Sequence, residues 1–150
     1  MRYWLVSQNT SWEHERQLSI LWSPRTDVNG HRVPAYDRLQ KAEPGDVVFN
    51  YSKGHFRGAS TVIARAVPAL RPYGDPEDGQ VVKLDMREFS FPIPYTDVPR
   101  EMRARMVGHA LPFVGGTGPK SGQIRQQYFS VVPDELAAWL LARSRTDNDA

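Results

Sequence analysis

The order of strand-forming segments limits this chain's fold more than anything else in its 150 residues. Tyr3 to Ser7 is aromatic and β-branched and predicts an opening strand. Thr10-Ser11-Trp12-Glu13 fits a capping box, so a short helix is expected to about Leu18. A short apolar run, Ser19 to Trp22, stops at Ser23-Pro24, and Asn29-Gly30 marks a turn in a polar loop. Pro34 can begin a helix running to about Ala42. Pro44-Gly45-Asp46 launches a strand, Val47 to Tyr51, which a polar hairpin loop, Ser52 to Gly58, joins to a return strand, Ala59 to Val67. Residues 68–79 are rich in Pro, Gly and acid and read as a surface loop, and Gln80 to Phe89 reads as one long strand. A helix is expected over Val98 to Val107, a long Gly- and Pro-containing loop over 112–122, a strand over Gln127 to Val132 and a last helix from Pro133 to about Arg143. Hairpins and single helices separate the strands with no regular βαβ unit and no repeat. The pattern excludes a doubly wound nucleotide fold and predicts one α+β domain, residues 1–143, around a curved, partly closed sheet. Residues 144–150 are expected to be a frayed tail or a domain boundary.

Composition narrows the chemistry. Cysteine is absent, which excludes disulfides, Cys-built zinc sites and thiol catalysis. The four histidines lack ligand spacing, so no metal and no cofactor is expected. No apolar run approaches the roughly 20 residues of a membrane helix, and the first residues lack a signal-peptide pattern, so a cytoplasmic protein is expected. Phosphate-loop, dinucleotide, metalloprotease and nucleophile-elbow motifs are missing. Gly115-Gly116-Thr117-Gly118-Pro119-Lys120 evokes a phosphate loop, but the Lys-Ser/Thr ending is not at the required spacing. A binding role is expected rather than an enzymatic one.

Charge suggests the partner. Arginines number 15 against four lysines. Arginine's planar fork suits phosphate and base edges. Two segments carry the excess: 44–72, with Lys53, Arg57, Arg65 and Arg71 against Asp46, and 100–125, with Arg100, Arg103, Arg105, Lys120 and Arg125 against Glu101. Folded onto one face, they would attract nucleic acid. Near the N-terminus, Ser7-Gln8-Asn9 sets three hydrogen-bonding side chains at a strand end, and Trp22-Ser23 sets a ring before a chain break. A Trp at the end of an apolar run is commonly core. Here the following polar turn is expected to hold it at a rim, where a ring beside polar groups can grip a planar base.

These residues resemble a family. Tyr3-Trp4-Leu5-Val6-Ser7-Gln8-Asn9, Leu21-Trp22-Ser23-Pro24, Tyr36 and Pro44-Gly45-Asp46-Val47-Val48-Phe49 look like the EVE domain of the PUA-like superfamily, and Gly122 to Phe129 resembles its late strand. The likeness is closest to EVE domains of modification-dependent HNH endonucleases and is more distant to YTH readers of N6-methyladenine in RNA. It implies a pseudo-barrel flanked by short helices. It also implies a function: binding DNA with modified cytosine, 5-methylcytosine first, by flipping the base into an aromatic pocket, as the targeting module of a nuclease acting at the bacterial nucleoid. A reader of modified RNA, or a tRNA-binding module, is the alternative. Carried over, Asn9 matches the base-edge Asn and Trp22-Ser23 the cage Trp-Ser. Leu84-Asp85-Met86 matches a strand whose second cage Trp is here Met86, a softer wall that favours a 5-modified pyrimidine over N6-methyladenine. Burying a 5-methyl group is worth about 1–2 kcal/mol. The expected base pocket is Ser7, Gln8, Asn9, Trp22, Ser23, Tyr51, Asp85 and Met86. The hairpin residues Lys53, His55, Phe56 and Arg57 are expected at the duplex, with Phe56 or Arg57 filling the vacated space, and Lys120, Gln123 and Arg125 at phosphates.

Overall fold

The computed structural model describes residues 1–148, with side chains described through Ser144. Eight strands and four short helices form an α+β domain. The strands are β1 (Tyr3–Ser7), β2 (Ile20–Pro24), β3 (Val47–Ser52), β4 (His55–Val62), β5 (Val67–Leu70), β6 (Asp78–Asp85), β7 (Glu88–Pro94) and β8 (Phe129–Val131). The helices are α1 (Trp12–Leu18), α2 (Pro34–Leu39), α3 (Arg100–Arg105) and α4 (Asp134–Asn148). The sheet runs β2-β6-β4-β3-β1-β8, with β5 beside β6 and β7 beside β4, and it curls into a half-barrel. Among the described residues no helix is long and apolar enough to cross a membrane.

Alternation along β1 and β3 divides the molecule into two cores. Leu5 and Phe49 face an outer core with Phe56, Ile93, Val98, Phe113 and the α4 residues Leu136 and Leu140. Trp4, Val6 and Val48 face the half-barrel interior with Leu21, Leu39, Val62, Val82, Leu84 and Phe129. β1 and β3 run parallel, so no hairpin can join them. Asp46 ties them instead: its carboxylate accepts from Trp4 Nε1 (3.0 Å), Arg2 N (2.9 Å) and Glu43 N (2.9 Å).

The structure corrects several sequence expectations. Thr10 and Glu13 form no capping box: Ser11 precedes α1, and its hydroxyl bonds Gln8 O and Glu15. The hairpin turn is only Lys53-Gly54, both left-handed at φ 50° and 84°, so β4 starts at His55 rather than at Ala59. The expected surface loop 68–79 includes part of β5. The single strand expected over 80–89 is two strands, β6 and β7. β4 pairs β6 at Thr61 and Val62 but β7 at His55, Phe56 and Gly58, so the chain turns a corner near Met86-Arg87. Gly58 permits that corner, because a Cβ there would lie 2.5 Å from Arg87 O. α4 continues past Arg143 to Asn148, and the rest of the expected tail lies outside the described residues.

Candidate functional site

The half-barrel interior holds a closed polar network. Glu15 is fully buried, and its carboxylate accepts from Trp22 N (2.7 Å), Tyr128 OH (2.5 Å), Ser11 Oγ (2.5 Å) and Gln8 Nε2 (3.1 Å). Gln8 Oε1 accepts from Asn50 Nδ2, and Asn50 Oδ1 accepts from Ser60 Oγ, which lies 2.9 Å from Met86 Sδ. Burial raises the Glu15 pKa; the hydrogen bonds from Ser11, Tyr128, Trp22 N and Gln8 work against that rise. Burial likewise pushes the Tyr128 hydroxyl well above its ordinary value, and the facing Glu15 carboxylate adds to it. No buried side-chain nitrogen or oxygen among the described residues lacks a partner. Gln8 and Met86 belong to this network and its packing, not to an open pocket.

Trp22 is core, against the rim position expected for it. It is 4% exposed, and its Nε1 donates to Ala69 O at 3.1 Å. Tyr73 packs edge-on against the ring and the Arg71 guanidinium lies 5.6 Å from its centre. A Cβ on Gly79 would come within 2.3 Å of Trp22 Cζ2. Ser23 is buried and accepts from Gln80 Nε2. Asp85 is exposed, 3.8 Å from Arg87 Nε, and does not line the cleft that holds Ser7, Asn9 and Tyr51. Phe56 is fully buried in the outer core, so it cannot plug a duplex. Burial decides each of these, and a linear motif does not reveal it.

Of the other expected residues, Ser7, Asn9, Tyr51, Gln123 and Arg125 come together, and Lys53, His55, Arg57 and Lys120 lie outside the lining. At the ends of β1 and β3 an open cleft of about 300 Å³ is lined by Ser7, Asn9 and Tyr51, and across from them by Tyr95, Gln123, Ile124, Arg125 and Gln126. A second opening beside it adds Gln127 and Tyr128 to Ser7, Asn9 and Gln126. The register Ser7↔Tyr51 sets these two side chains on one face. Asn9 sits at φ 39°, and its Oδ1 accepts from Lys53 N at 3.1 Å, which locks the cleft floor to the hairpin turn. Ser7 Oγ, the Asn9 Nδ2 group and the side-chain amides of Gln123 and Gln126 make no hydrogen bond among the described residues. Arg125 is anchored through Nη1 to Gly108 O (2.9 Å), and Arg57 through Nε to Ser52 O (2.9 Å). Burial pushes the Tyr51 hydroxyl up to about 12, with Tyr95 beside it adding to the rise. Lys53 lies on the hairpin turn, His55 is the first residue of β4 and Lys120 lies on the 112–122 loop, with Lys53 and Lys120 exposed. The sequence reading missed Tyr95, Ile124 and Gln126. Gln126 sits beside Gln123 and Arg125, whereas Tyr95 follows a strand that was itself not expected.

No protein-family model matches the sequence, and no curated protein matches it. The fold is similar to solved structures of a Pseudomonas syringae protein (TM-score 0.60, 16% identity, 95% of this chain and 99% of that one) and a Pseudomonas putida protein (0.60, 15%, 95% and 99%). It is also similar to a hypothetical protein from Leishmania major (TM-score 0.61, 12% identity, 99% of this chain and 97% of that one). At such identities the likeness shows a shared fold: a small α+β domain built on a curled half-barrel sheet.

Proposed function

We propose that this domain binds DNA carrying 5-methylcytosine by taking the flipped base into the cleft between Ser7, Asn9, Tyr51 and Tyr95. One contrast carries the reading: among the described residues every buried polar side chain is satisfied internally, whereas Ser7, Asn9, Gln123 and Gln126 present unused donors and acceptors around one opening. A volume near 300 Å³ is at the small end of ligand pockets, a fit for one base rather than for a whole nucleotide chain. Tyr95 offers a stacking surface, in the place first given to Trp22. Flipping costs a few kcal/mol of unstacking, which stacking and edge hydrogen bonds in the cleft must recover. Lys53, Arg57 and Arg125 flank the opening and supply phosphate contacts. The domain acts as a reader in the cytoplasm and leaves bond breaking to a partner nuclease. An anisotropy titration with duplexes differing at one base is the test. Tighter binding of the 5-methylcytosine duplex is expected. Equal affinity for methylated and plain duplex overturns the reading, and preferential binding of methylated single-stranded RNA assigns the cleft to RNA instead.

A further inference from the structure

A second cavity, of about 410 Å³, lies between α3 and the 112–122 loop. Arg100 and Arg103 line it on one side, and Gly115, Gly116, Thr117 and Ser121 on the other. Its lining contains no carboxylate. Arg100 is exposed and has no ion pair or hydrogen bond among the described residues. Arg103 is held in place: Nε donates to Val98 O (3.1 Å) and Nη1 to Gly122 O (2.8 Å), which leaves Nη2 for a ligand. Gly122, at φ 81°, allows this, since a Cβ there would lie 2.9 Å from Arg103 Nη1. On the facing loop, Gly116 turns the backbone at φ 80°. The Gly116 and Thr117 N–H groups and the Thr117 hydroxyl make no hydrogen bond among the described residues, while Ser121 Oγ is spent on Gly116 O. Two guanidinium groups opposite free backbone N–H groups and a hydroxyl, with no acid between them, form a site for a tetrahedral oxyanion.

We propose that this cavity is a phosphate-binding site that holds the backbone of the nucleic acid whose base enters the cleft. The source of the phosphate follows from adjacency. Tyr95 lines the base cleft, and the guanidinium of Arg103, from the cavity, lies 5.7 Å from the Tyr95 ring centre. Gly122 lines the cavity and the next residue, Gln123, lines the cleft. One strand of a nucleic acid can therefore place a base in one and a neighbouring phosphate in the other. This placement rests on the base-reading proposal; the anion site itself does not.

Two measurements test it. In an NMR titration with inorganic pyrophosphate, the amides of Gly115, Gly116 and Thr117 should shift, the shifts should vanish in Arg100→Gln, and Arg100→Lys should restore part of them. In duplex titrations, Arg100→Gln and Thr117→Val should each weaken methylated and plain DNA alike. For Arg100→Gln the expected loss is about fivefold, with a salt slope smaller by about one. Arg100 is exposed and makes no ion pair or hydrogen bond among the described residues, so its variants should fold normally; a matching melting temperature checks that. Pyrophosphate leaving the three amides unmoved overturns the site. Pyrophosphate binding with an unchanged DNA salt slope in Arg100→Gln overturns the backbone role. A methylated-to-plain ratio near one, with the Arg100 effect intact, removes the base reading and supports the phosphate site.

Discussion

Trp22 lies in the core rather than at a rim, and the proposed reading gives the stacking place to Tyr95, to which the sequence assigned no role. Trp22 is enclosed by Ala69, Arg71, Tyr73 and Gly79, so Trp22→Ala should cost about 3–5 kcal/mol, as a core Trp does. Tyr95 is half-exposed at the cleft, so Tyr95→Ala should lose roughly 1–3 kcal/mol of binding with a much smaller change in stability. Urea unfolding and duplex affinity on the same two variants check this; a binding defect without unfolding in Trp22→Ala would return the stacking role to Trp22. Glu15 sets a different expectation. Burial raises its pKa above the ordinary 4.5. As pH rises past that value the unfolded chain releases the proton while the folded protein still holds it. This favours the unfolded state, so the stability tied to Glu15 is full below 4.5 and is lost as pH climbs toward the folded value. Glu15→Gln should flatten that fall, measured as urea midpoints between about pH 5 and about pH 7. Asp46 has the opposite sign. Burial works to raise its pKa, but the hydrogen bonds from Trp4, Glu43 N and Arg2 N outweigh it and leave it below 3.8. Its contribution is lost only as pH falls below that value, outside the window of the Glu15 measurement. An unchanged slope in Glu15→Gln would mean that Glu15 titrates normally.

The β3–β4 hairpin ties local chain geometry to the site. A two-residue turn with both residues at positive φ matches the twist of the strands it joins. Gly54 takes that conformation freely, whereas Lys53 pays about 1 kcal/mol for it. A lysine in that position is costly for the fold; in the proposed reading it serves binding, because it is exposed beside Asn9 at the cleft. Lys53→Gly should therefore raise stability by up to about 1 kcal/mol and reduce the salt slope of DNA binding by about one. Opposite signs in the two readouts are the signature; a loss of stability would show that Lys53 makes a packing contribution outweighing its strain. The same hairpin explains why part of the sequence reading failed. Residues 52–58 are polar enough to read as a loop, yet cross-strand pairing to both β3 and β7 recruits His55 to Gly58 into β4. Strand recruitment of that kind depends on the partner strand, which local composition does not contain.

Charge organises the whole molecule. Arg16, Arg32, Arg65, Arg71, Arg87, Arg105 and Arg143 are each within ion-pair distance of a carboxylate. Lys53, Arg57, Arg100, Arg103, Lys120 and Arg125 have no ion pair among the described residues; Arg125 lines the cleft, Arg100 and Arg103 line the neighbouring cavity, and Lys53, Arg57 and Lys120 lie on the β3–β4 hairpin and the 112–122 loop. Three arginines of the 100–125 stretch, Arg100, Arg103 and Arg125, thus line the two openings, although the net charge is only +2. Duplex affinity should fall with salt at about 0.9 logarithmic units per phosphate neutralised. Lys120→Glu should weaken binding and lower that slope. Lys83→Glu makes the same change in net charge at an exposed position of β6 outside the cleft lining, and should leave both nearly unchanged. Equal effects of the two would mean that binding responds to total charge rather than to a basic face.

The order of the segments settled the α+β class and the absence of βαβ units before any coordinates. Turn chemistry and strand-forming composition placed β1, β3 and α2 closely, because their signals are local: Pro at a helix start, short runs of aromatic and β-branched residues. The polar ends of β1 and β3 pointed to three of the eight residues that line the cleft, since Ser7, Asn9 and Tyr51 lie at or just beyond the ends of strong strands. The sequence could not divide Ser7, Gln8 and Asn9 among their destinations. Gln8 turns into the closed interior network and its two neighbours line the opening, and that assignment follows from the strand's pleat against partners distant in sequence. Nor could it split residues 80–89 at Met86-Arg87, because the break follows from β4 exchanging one partner strand for another. Burial of Trp22 was decided by Ala69, Tyr73 and Gly79, and the joining of Tyr95 to Arg125 by the curl of the sheet. Long-range packing made those choices, and residue type and spacing carry no record of it.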